Sequence, residues 1–190
     1  EDFEVELHPE HPEFGTRKVT FSRELYVEQD DFMAEPVKKY FRLFPGNEVR
    51  FKSAYFIKCN SYDTDENGNV TCLHCTYDPE SRGGNSPDGR KVKGTIHWVN
   101  ANDCKQCEVR LYDRLFSAEE PGKNGDYFDD LNPDSLEVIE NCLLEGGFEN
   151  AKPGDTFQFM RNGYFCVDKD STEDKLVFNR TVALNSSWGK

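Results

Sequence analysis

Alternating apolar and polar positions run through most of this chain and predict short strands. The pattern is clearest between residues 89 and 116, where two runs, 91–99 and 108–116, alternate apolar side chains with polar or charged ones. A period of two is typical of strands with one buried face. We expect these two strands to lie at the junction of two small barrels, one built from the residues before them and one from the residues after.

Further strands are predicted on both sides of this stretch. They cover residues 2–7, 18–22, 24–28, 48–61, 70–78, 135–144 and 175–184, and residues 157–166 are predicted to form a hairpin. The Asn-Gly pairs at 67–68 and 162–163 favour hairpin turns. One helix is predicted over residues 37–43, after Pro36 and before Pro45. The expected fold class is therefore mainly β, with two consecutive small antiparallel β-barrels and one short helix.

The same pattern predicts where the domains divide. Residues 1–96 are expected to form the first barrel, and residues 97–190 the second, which carries a long acidic loop at 119–133. Loops of that length are more often functional than idle. The first run begins at residue 2 with no turn or cap before it. We therefore expect the sequence to begin inside a domain.

Composition narrows the class of protein. The chain has 190 residues, of which 36% are apolar and 31% charged, as in soluble folded proteins. The net charge of −13 argues mildly against nucleic acid as a partner, but binding depends on the local field. No membrane span or signal peptide is visible. Seven cysteines at irregular spacing fit a reducing compartment, so a cytoplasmic location and no membrane partner are expected.

Two C-x-x-C pairs offer an alternative function. Four thiolates at such spacing can hold zinc, but the first pair lies in a predicted strand, where residues three apart point to opposite faces. We expect no bound metal, and the alternative interpretation is a zinc-stabilised protein-interaction module. The four cysteines are Cys72, Cys75, Cys104 and Cys107.

No catalytic motif stands out. The stretch from Asp63 to Gly68 imitates the start of an EF-hand calcium loop, but His74 occupies the position of the required glutamate, so a plain hairpin turn is predicted. The sequence has no phosphate-binding glycine loop and no nucleophile elbow, and its many carboxylates single out no acid–base pair. We therefore expect no catalytic residue and no cofactor in this chain.

Residues 37–58, here called the basic segment, are the feature that points to a function. They contain six cations and one acid, and six aromatic residues lie between the cations. Cations bind phosphate, guanidinium groups read base edges, and exposed rings stack on bases, so this combination suits single-stranded RNA. A solvated strand face with its aromatic rings in the core explains the pattern equally well.

Six blocks of sequence resemble one known family. In order, the blocks are HPEFGTRKV (11–19), YFRLFPGNEVRFKSAYFIKC (40–59), DGRKVKGTIHWV (88–99), EVRLYDRLF (108–116), FQFMRNGYFCVD (157–168) and KLVFNRTV (175–182). They resemble the C-terminal anticodon-binding region of the class I glutaminyl-tRNA synthetases. The resemblance covers essentially the whole chain and implies two consecutive β-barrels that hold three unstacked anticodon bases in separate pockets.

The resemblance also implies which residues bind RNA. Arg42 matches the arginine that reads guanine in the third anticodon position. Arg50 and Lys52 match the pair beside the first anticodon base, where the second member is usually arginine. Gln158 and Arg161 match residues that hold the middle uracil. Together with the phosphate-binding lysines, the RNA-binding residues predicted from the resemblance and the basic segment are Lys38, Lys39, Arg42, Arg50, Lys52, Gln158 and Arg161.

The implied partners lie outside the chain. They are the anticodon loop of tRNA(Gln) and an upstream catalytic domain of the same protein, which is expected to be a monomer. That parent ligase would attach glutamine to tRNA with ATP and Mg²⁺ bound upstream. A further arginine for the middle uracil and the first strand of the first barrel are also expected upstream, so the resemblance implies a first barrel that lacks its first strand here. We expect the loop at 119–133 to point to the catalytic domain and relay anticodon occupancy. Phe41 stands where the family often has lysine, so one phosphate contact is expected to be missing.

Overall fold

The computed structural model describes residues 1–8 and 10–184, and the chain divides into two units. Unit 1 comprises Glu1–Cys104 and Glu145–Gly147, and unit 2 comprises Lys105–Leu144 and Phe148–Lys190. Thirteen strands and four short 3₁₀ helices occur in the described residues, so the predicted mainly β fold is confirmed. Their sheets stay open in hydrogen bonding, which is compatible with barrel-like packing. No helix in these residues is long and apolar enough to cross a membrane.

Unit 1 contains eight strands in three sheets. The strands are β1 (Asp2–Glu6), β2 (Thr16–Thr20), β3 (Leu25–Tyr26), β4 (Glu48–Phe51), β5 (Phe56–Thr64), β6 (Val70–Asp78), β7 (Thr95–Ile96) and β8 (Val99–Asn100). β1 pairs with β2 and β3 pairs with β8, both antiparallel. The largest sheet has the order β6-β5-β4-β7, in which β7 runs parallel to β4. This parallel pairing brings residues 45 positions apart in the sequence, such as Arg50 and Thr95, to neighbouring strands.

The core of unit 1 is aromatic. Trp98 lies edge-on to Phe21 and stacks with Phe51, with ring centroids 5.3 and 6.4 Å apart. The Trp98 indole N–H donates to the Lys52 carbonyl at 3.0 Å, which satisfies its one polar atom. The buried residues of this core are Phe3, Val19, Leu43, Val49, Phe51, Ala54, Tyr55, Ile57, Cys59, Ile96 and Trp98.

Unit 2 is built on one five-stranded sheet. Its strands are β9 (Lys105–Tyr112), β10 (Leu136–Leu144), β11 (Thr156–Phe159), β12 (Gly163–Val167) and β13 (Leu176–Val182). Their order is β10-β9-β13-β12-β11, with β13 parallel to β9 and the other pairs antiparallel. Alternate residues of each strand pack into a core around Phe178, which is fully buried. The predicted strands at 135–144 and 175–184 and both Asn-Gly hairpins are confirmed.

The helix predicted over residues 37–43 is absent, and that prediction is wrong. These residues form a turn with Lys39 at φ +71°. The buried Leu43 exchanges hydrogen bonds with the chain before the turn, since its N–H donates to the Asp31 carbonyl (2.9 Å) and its own carbonyl accepts from the Met33 N–H (3.0 Å). Backbone groups paired in this way are not available to a helix, so tertiary pairing overrides the local preference.

The single strand predicted over residues 48–61 is also wrong, because a tight turn divides it into β4 and β5. Ser53 takes φ +61°, and the Phe51 N–H donates to the Tyr55 carbonyl at 2.9 Å. Four consecutive residues after the turn, 54–57, are buried. Such a run is incompatible with one strand that has a solvent face.

The run predicted at 91–99 forms strand only in part. β7 holds two residues, and Gly94 before it lies so close to the backbone of residue 41 that a Cβ atom there would be 1.8 Å from the Phe41 carbonyl oxygen. The run predicted at 108–116 is β9, which begins and ends earlier than expected.

The loop predicted at 119–133 is anchored at its base. Phe116 and Leu131 form an isolated antiparallel bridge, and the Ser117 N–H donates to the Asp130 carbonyl at 2.9 Å. A 3₁₀ turn at Tyr127–Asp130 is capped by the Asp126 carboxylate, which accepts from the Phe128 N–H at 3.1 Å. The loop therefore has a defined local structure. The relay role predicted for it, and the domain boundary between residues 96 and 97, stay predictions.

Candidate nucleic-acid interface

Arg42 lies on the turn that replaces the predicted helix and is held from one side. Its Nη1 atom lies 3.2 Å from the Asp31 carboxylate, which is fully buried, and donates to the Asp30 carbonyl at 3.0 Å. The Arg42 side chain is nevertheless 42% exposed. Both contacts use the same nitrogen of a group with five N–H donors. A guanidinium fixed in this way is preorganised for a bidentate contact with a base or a phosphate.

Arg50 and Lys52 lie on β4 and the turn that follows it. The Arg50 guanidinium sits 5.2 Å from the centroid of the Phe56 ring, and its Nε donates to the Gly84 carbonyl, so this side chain is half-buried. Lys52 is exposed, while its backbone is fixed by bonds to Ile96 and Trp98. The structure therefore holds the Arg50 head group in place and leaves the Lys52 charge in solvent.

Lys38 and Lys39 lie on the exposed turn immediately before Arg42. The Tyr40 N–H closes this turn on the Val37 carbonyl at 3.0 Å. Two exposed ammonium groups on one turn supply charge without a fixed geometry, which suits contact with phosphate.

Gln158 and Arg161 lie on the β11–β12 hairpin of unit 2. Gln158 is exposed and pairs with Tyr164 across the hairpin. Arg161 is half-buried in the turn at φ +72°. Below them Phe159 and Phe165 stack with their ring centroids 4.5 Å apart, which anchors the hairpin in the core. The predicted RNA-binding residues thus divide between the units, with Lys38, Lys39, Arg42, Arg50 and Lys52 in unit 1 and Gln158 and Arg161 in unit 2.

Lys91 and Lys93 are surface cations that the sequence patterns did not single out as binding residues. Both are exposed and line a cleft of about 380 Å³ together with Phe41. Lys93 Nζ lies 5.0 Å from the centroid of the Phe41 ring. The signal available in the sequence was Gly94, because a glycine within a predicted strand often marks a close backbone approach.

The C-x-x-C pairs do not form a metal site in the part of the chain that the structure describes. There, the one group of three or more potential ligands within 4.8 Å of each other is Asp63, Cys72 and His74. Cys107 is buried in the core of unit 2, and this burial raises the pKa of its thiol to about 12. A thiol that stays protonated is a poor zinc ligand. No observation on the described residues favours the zinc-stabilised module.

The turn between β5 and β6, which precedes Cys72 and Cys75, is a plain hairpin turn, as predicted. The Asp65 carboxylate accepts from the backbone N–H groups of Asn67 (2.9 Å) and Asn69 (2.8 Å). The hydrogen bond from the Asn69 side chain has the largest effect in lowering the pKa of Asp65, and these backbone hydrogen bonds lower it further. Asp65 therefore stabilises the turn itself.

Comparison with known proteins assigns the family. Two family models match this chain, one over residues 1–78 and the other over residues 95–168, and both are described as tRNA synthetases class I (E and Q), anti-codon binding domain. The chain belongs to this family. The two matches together cover most of the sequence, and the resemblance inferred from its six blocks is confirmed.

Several curated relatives of this chain are named glutamine–tRNA ligase. The glutamine–tRNA ligase of Bradyrhizobium diazoefficiens is 50% identical over 100% of this chain and 34% of the relative. The glutamine–tRNA ligases of Clostridium perfringens and Aliivibrio fischeri are 53% and 50% identical, each over 99% of this chain and 34% of the relative. The chain therefore spans about a third of the length of the curated relatives that it matches.

The two anticodon-binding matches contain all seven predicted RNA-binding residues. Five of them lie in the match over residues 1–78, and Gln158 and Arg161 lie in the match over residues 95–168. Family membership assigns anticodon binding to both segments.

Proposed function

We propose that this chain is the anticodon-reading part of a glutamine–tRNA ligase. Its partner is the anticodon loop of tRNA(Gln), and the remainder of the same protein attaches glutamine to that tRNA with ATP and Mg²⁺. Two features support this proposal. The curated relatives are glutamine–tRNA ligases of which the chain spans about a third, and the basic segment presents a fixed guanidinium beside exposed lysines. We further propose that the ligase acts as a monomer in the cytoplasm.

The observation that carries the proposal is the geometry of Arg42. Its anchor is a buried carboxylate, and close to half of its side chain is exposed. Guanine offers two acceptors, O6 and N7, that match the two parallel N–H groups of an arginine fork. The geometry of Arg42 therefore suits a contact with guanine, and the resemblance implies that this guanine is the third anticodon base. Asp31 holds Arg42 in the reading orientation.

The other predicted residues act around this contact. Lys38 and Lys39 neutralise phosphates, because exposed ammonium groups supply charge without selecting a base. Lys52 carries a positive charge but lacks the two parallel N–H donors of an arginine side chain. With Arg50 it lies beside the first anticodon base, where it tolerates either C or U. In unit 2, Gln158 and Arg161 hold the middle uracil.

The experiment is a titration of a fluorescently labelled anticodon stem-loop with this chain, followed by anisotropy at several salt concentrations. We expect affinity to fall as salt rises, because bound phosphates release counterions. Lys38→Ala should weaken binding to all anticodons by a similar factor and flatten the salt dependence, whereas Arg42→Lys should lower selectivity for guanine at the third position. If the two variants behave identically across anticodons, the division into phosphate and base contacts is wrong.

A further inference from the structure

The cleft beside Phe41 is not used by the contacts proposed above. It has a volume of about 380 Å³ and lies between the turn that carries Arg42 and the segment before β7. Ligand pockets in proteins fall in the range of about 300–1,000 Å³. Its walls include three aromatic rings and two cations, which are Tyr40, Phe41, Phe44, Lys91 and Lys93.

The Phe41 side chain is presented to solvent rather than packed into the core. It is 48% exposed, whereas Leu43 two residues later is fully buried. Exposure of about half of this residue contributes nothing to the hydrophobic core, because a phenyl ring stabilises the fold by about 1.5–3 kcal/mol when it is fully buried. Proteins that bind single-stranded nucleic acids use exposed aromatic rings beside cations, because bases stack on the rings and the cations contact the phosphates.

The position of Phe41 is fixed by the backbone around it. Gly94 packs directly on the Phe41 carbonyl, at a distance that excludes any side chain at residue 94. The Gly94 carbonyl in turn accepts from the Arg50 N–H at 2.8 Å, next to the first residue of β7. The Phe41 backbone is thereby held against the segment that carries Lys91 and Lys93, which places the three side chains in the wall of one cleft.

The charge of the cleft is positive although the chain is strongly acidic. The one acid in its wall, Glu48, is paired with Arg90, whose Nε and Nη2 atoms lie 2.9 and 3.0 Å from the two carboxylate oxygens. Arg90 also pairs with Asp78 and Asp88, so it is shared among three carboxylates. The wall itself carries two cations against one acid, and the exposed ammonium groups of Lys91 and Lys93 can contact an anionic ligand.

We propose that Phe41, Lys91 and Lys93 form an additional nucleotide site, in which an unpaired RNA base stacks on the Phe41 ring and the lysines contact its phosphate. The proposal rests on the proposed function, because the nucleotide belongs to the same RNA whose anticodon is read by Arg42. In the free protein, Lys93 covers the ring. On binding, its ammonium group moves to the phosphate and the base takes its place on the ring.

The test uses stem-loops in which each unpaired nucleotide in turn is 2-aminopurine, whose fluorescence falls when it stacks. With the unaltered chain, we expect quenching to identify the nucleotide held in the cleft. Phe41→Ala should abolish that quenching and weaken binding about tenfold, as for other single base-stacking residues. Phe41→Trp should retain both, because the larger ring also stacks.

Two further variants complete the test. Phe14→Ala is the matched control, since Phe14 is 59% exposed in the same unit and does not line the cleft, and it should change neither quenching nor affinity. Phe41→Leu keeps an apolar side chain of similar bulk and should behave like Phe41→Ala. Thermal unfolding of each variant shows whether it is folded. If Phe41→Ala is unfolded, Phe41→Leu takes its place in the test.

The possible failures are distinguishable. If the unaltered chain binds the stem-loop and Phe41→Ala and Phe41→Leu bind it equally well with unchanged quenching, the additional site is refuted and the proposed function stands. If the unaltered chain does not bind the stem-loop at all, the proposed function fails, and this site fails with it.

Discussion

The pair formed by Arg42 and Asp31 makes a prediction that links stability to base reading. Arg42→Ala removes the guanidinium from a carboxylate that is fully buried. Removal of one partner of a buried ion pair costs about 3–5 kcal/mol when both groups are buried. Here Arg42 is partly exposed and Asp31 has other interactions as well. We therefore expect the free energy of unfolding to fall by about 1–3 kcal/mol, the range for a buried polar group that loses a partner.

Arg42→Lys separates the two roles of the side chain. Lysine keeps a positive charge within reach of Asp31, so we expect a smaller loss of stability than for Arg42→Ala. It lacks the two parallel N–H groups that match guanine. We expect selectivity for guanine at the third anticodon position to fall by about 1–3 kcal/mol in both variants. The alanine variant therefore loses stability and selectivity, and the lysine variant loses mainly selectivity.

The assay combines denaturant unfolding with stem-loop titrations of the same preparations. Lys38→Ala is the matched control, because Lys38 is exposed on the same turn, and its unfolding free energy should change by no more than about 0.5 kcal/mol. If Arg42→Ala unfolds at the same denaturant concentration as the unaltered chain, Arg42 does not stabilise Asp31. If Arg42→Lys keeps full selectivity for guanine, the bidentate contact is wrong.

Three further predictions concern other parts of the chain. Gly94→Ala should lower the free energy of unfolding by about 1–3 kcal/mol in denaturant melts, because its Cβ would overlap the Phe41 carbonyl oxygen, and an unchanged midpoint would contradict this. Hydrogen bonds from Ser86, the Arg90 backbone and the Arg90 guanidinium lower the pKa of Asp88 to about 2, below its unfolded value of about 3.9. The stability from Asp88 is therefore present above about pH 4 and lost as pH falls towards 2. Arg90→Gln should move acid unfolding, followed by circular dichroism, to higher pH, and an unmoved transition would show that the Arg90 contacts do not matter. Deletion of residues 119–126 in a complete ligase should lower the aminoacylation rate with little loss of tRNA affinity, and unchanged kinetics would refute the relay role.

The elements that could be predicted from the sequence depend on local signals. The Asn-Gly pair at 67–68 favours its turn because Gly68 takes a positive φ, and the strand predicted at 175–184 is marked by a run of apolar residues at 176–178, of which Val177 and Phe178 are buried. The elements that were missed depend on distant partners. The Leu43 backbone forms hydrogen bonds with residues 31 and 33 instead of continuing a helix. The sequence of residues 37–43 alone does not indicate these hydrogen bonds.

The candidate site shows the same division. Arg42 could be identified from its sequence block, but its buried partner Asp31 could not, because only the folded turn brings an acid eleven positions earlier against the guanidinium. Lys93 could not be assigned to the ring of Phe41 either, since the two are brought together by the parallel pairing of β4 and β7. The net charge of −13 is an average over the whole chain, so it does not reveal a local positive surface of this kind.

The most direct test of anticodon reading compares two stem-loops with this chain at low salt. One carries a glutamine anticodon, and the other is the same RNA with its middle U changed to A. Our account predicts that the first binds about tenfold more tightly or better, because Gln158 and Arg161 hold the middle uracil. Equal binding of the two RNAs would contradict the claim that Gln158 and Arg161 of this chain read the middle uracil.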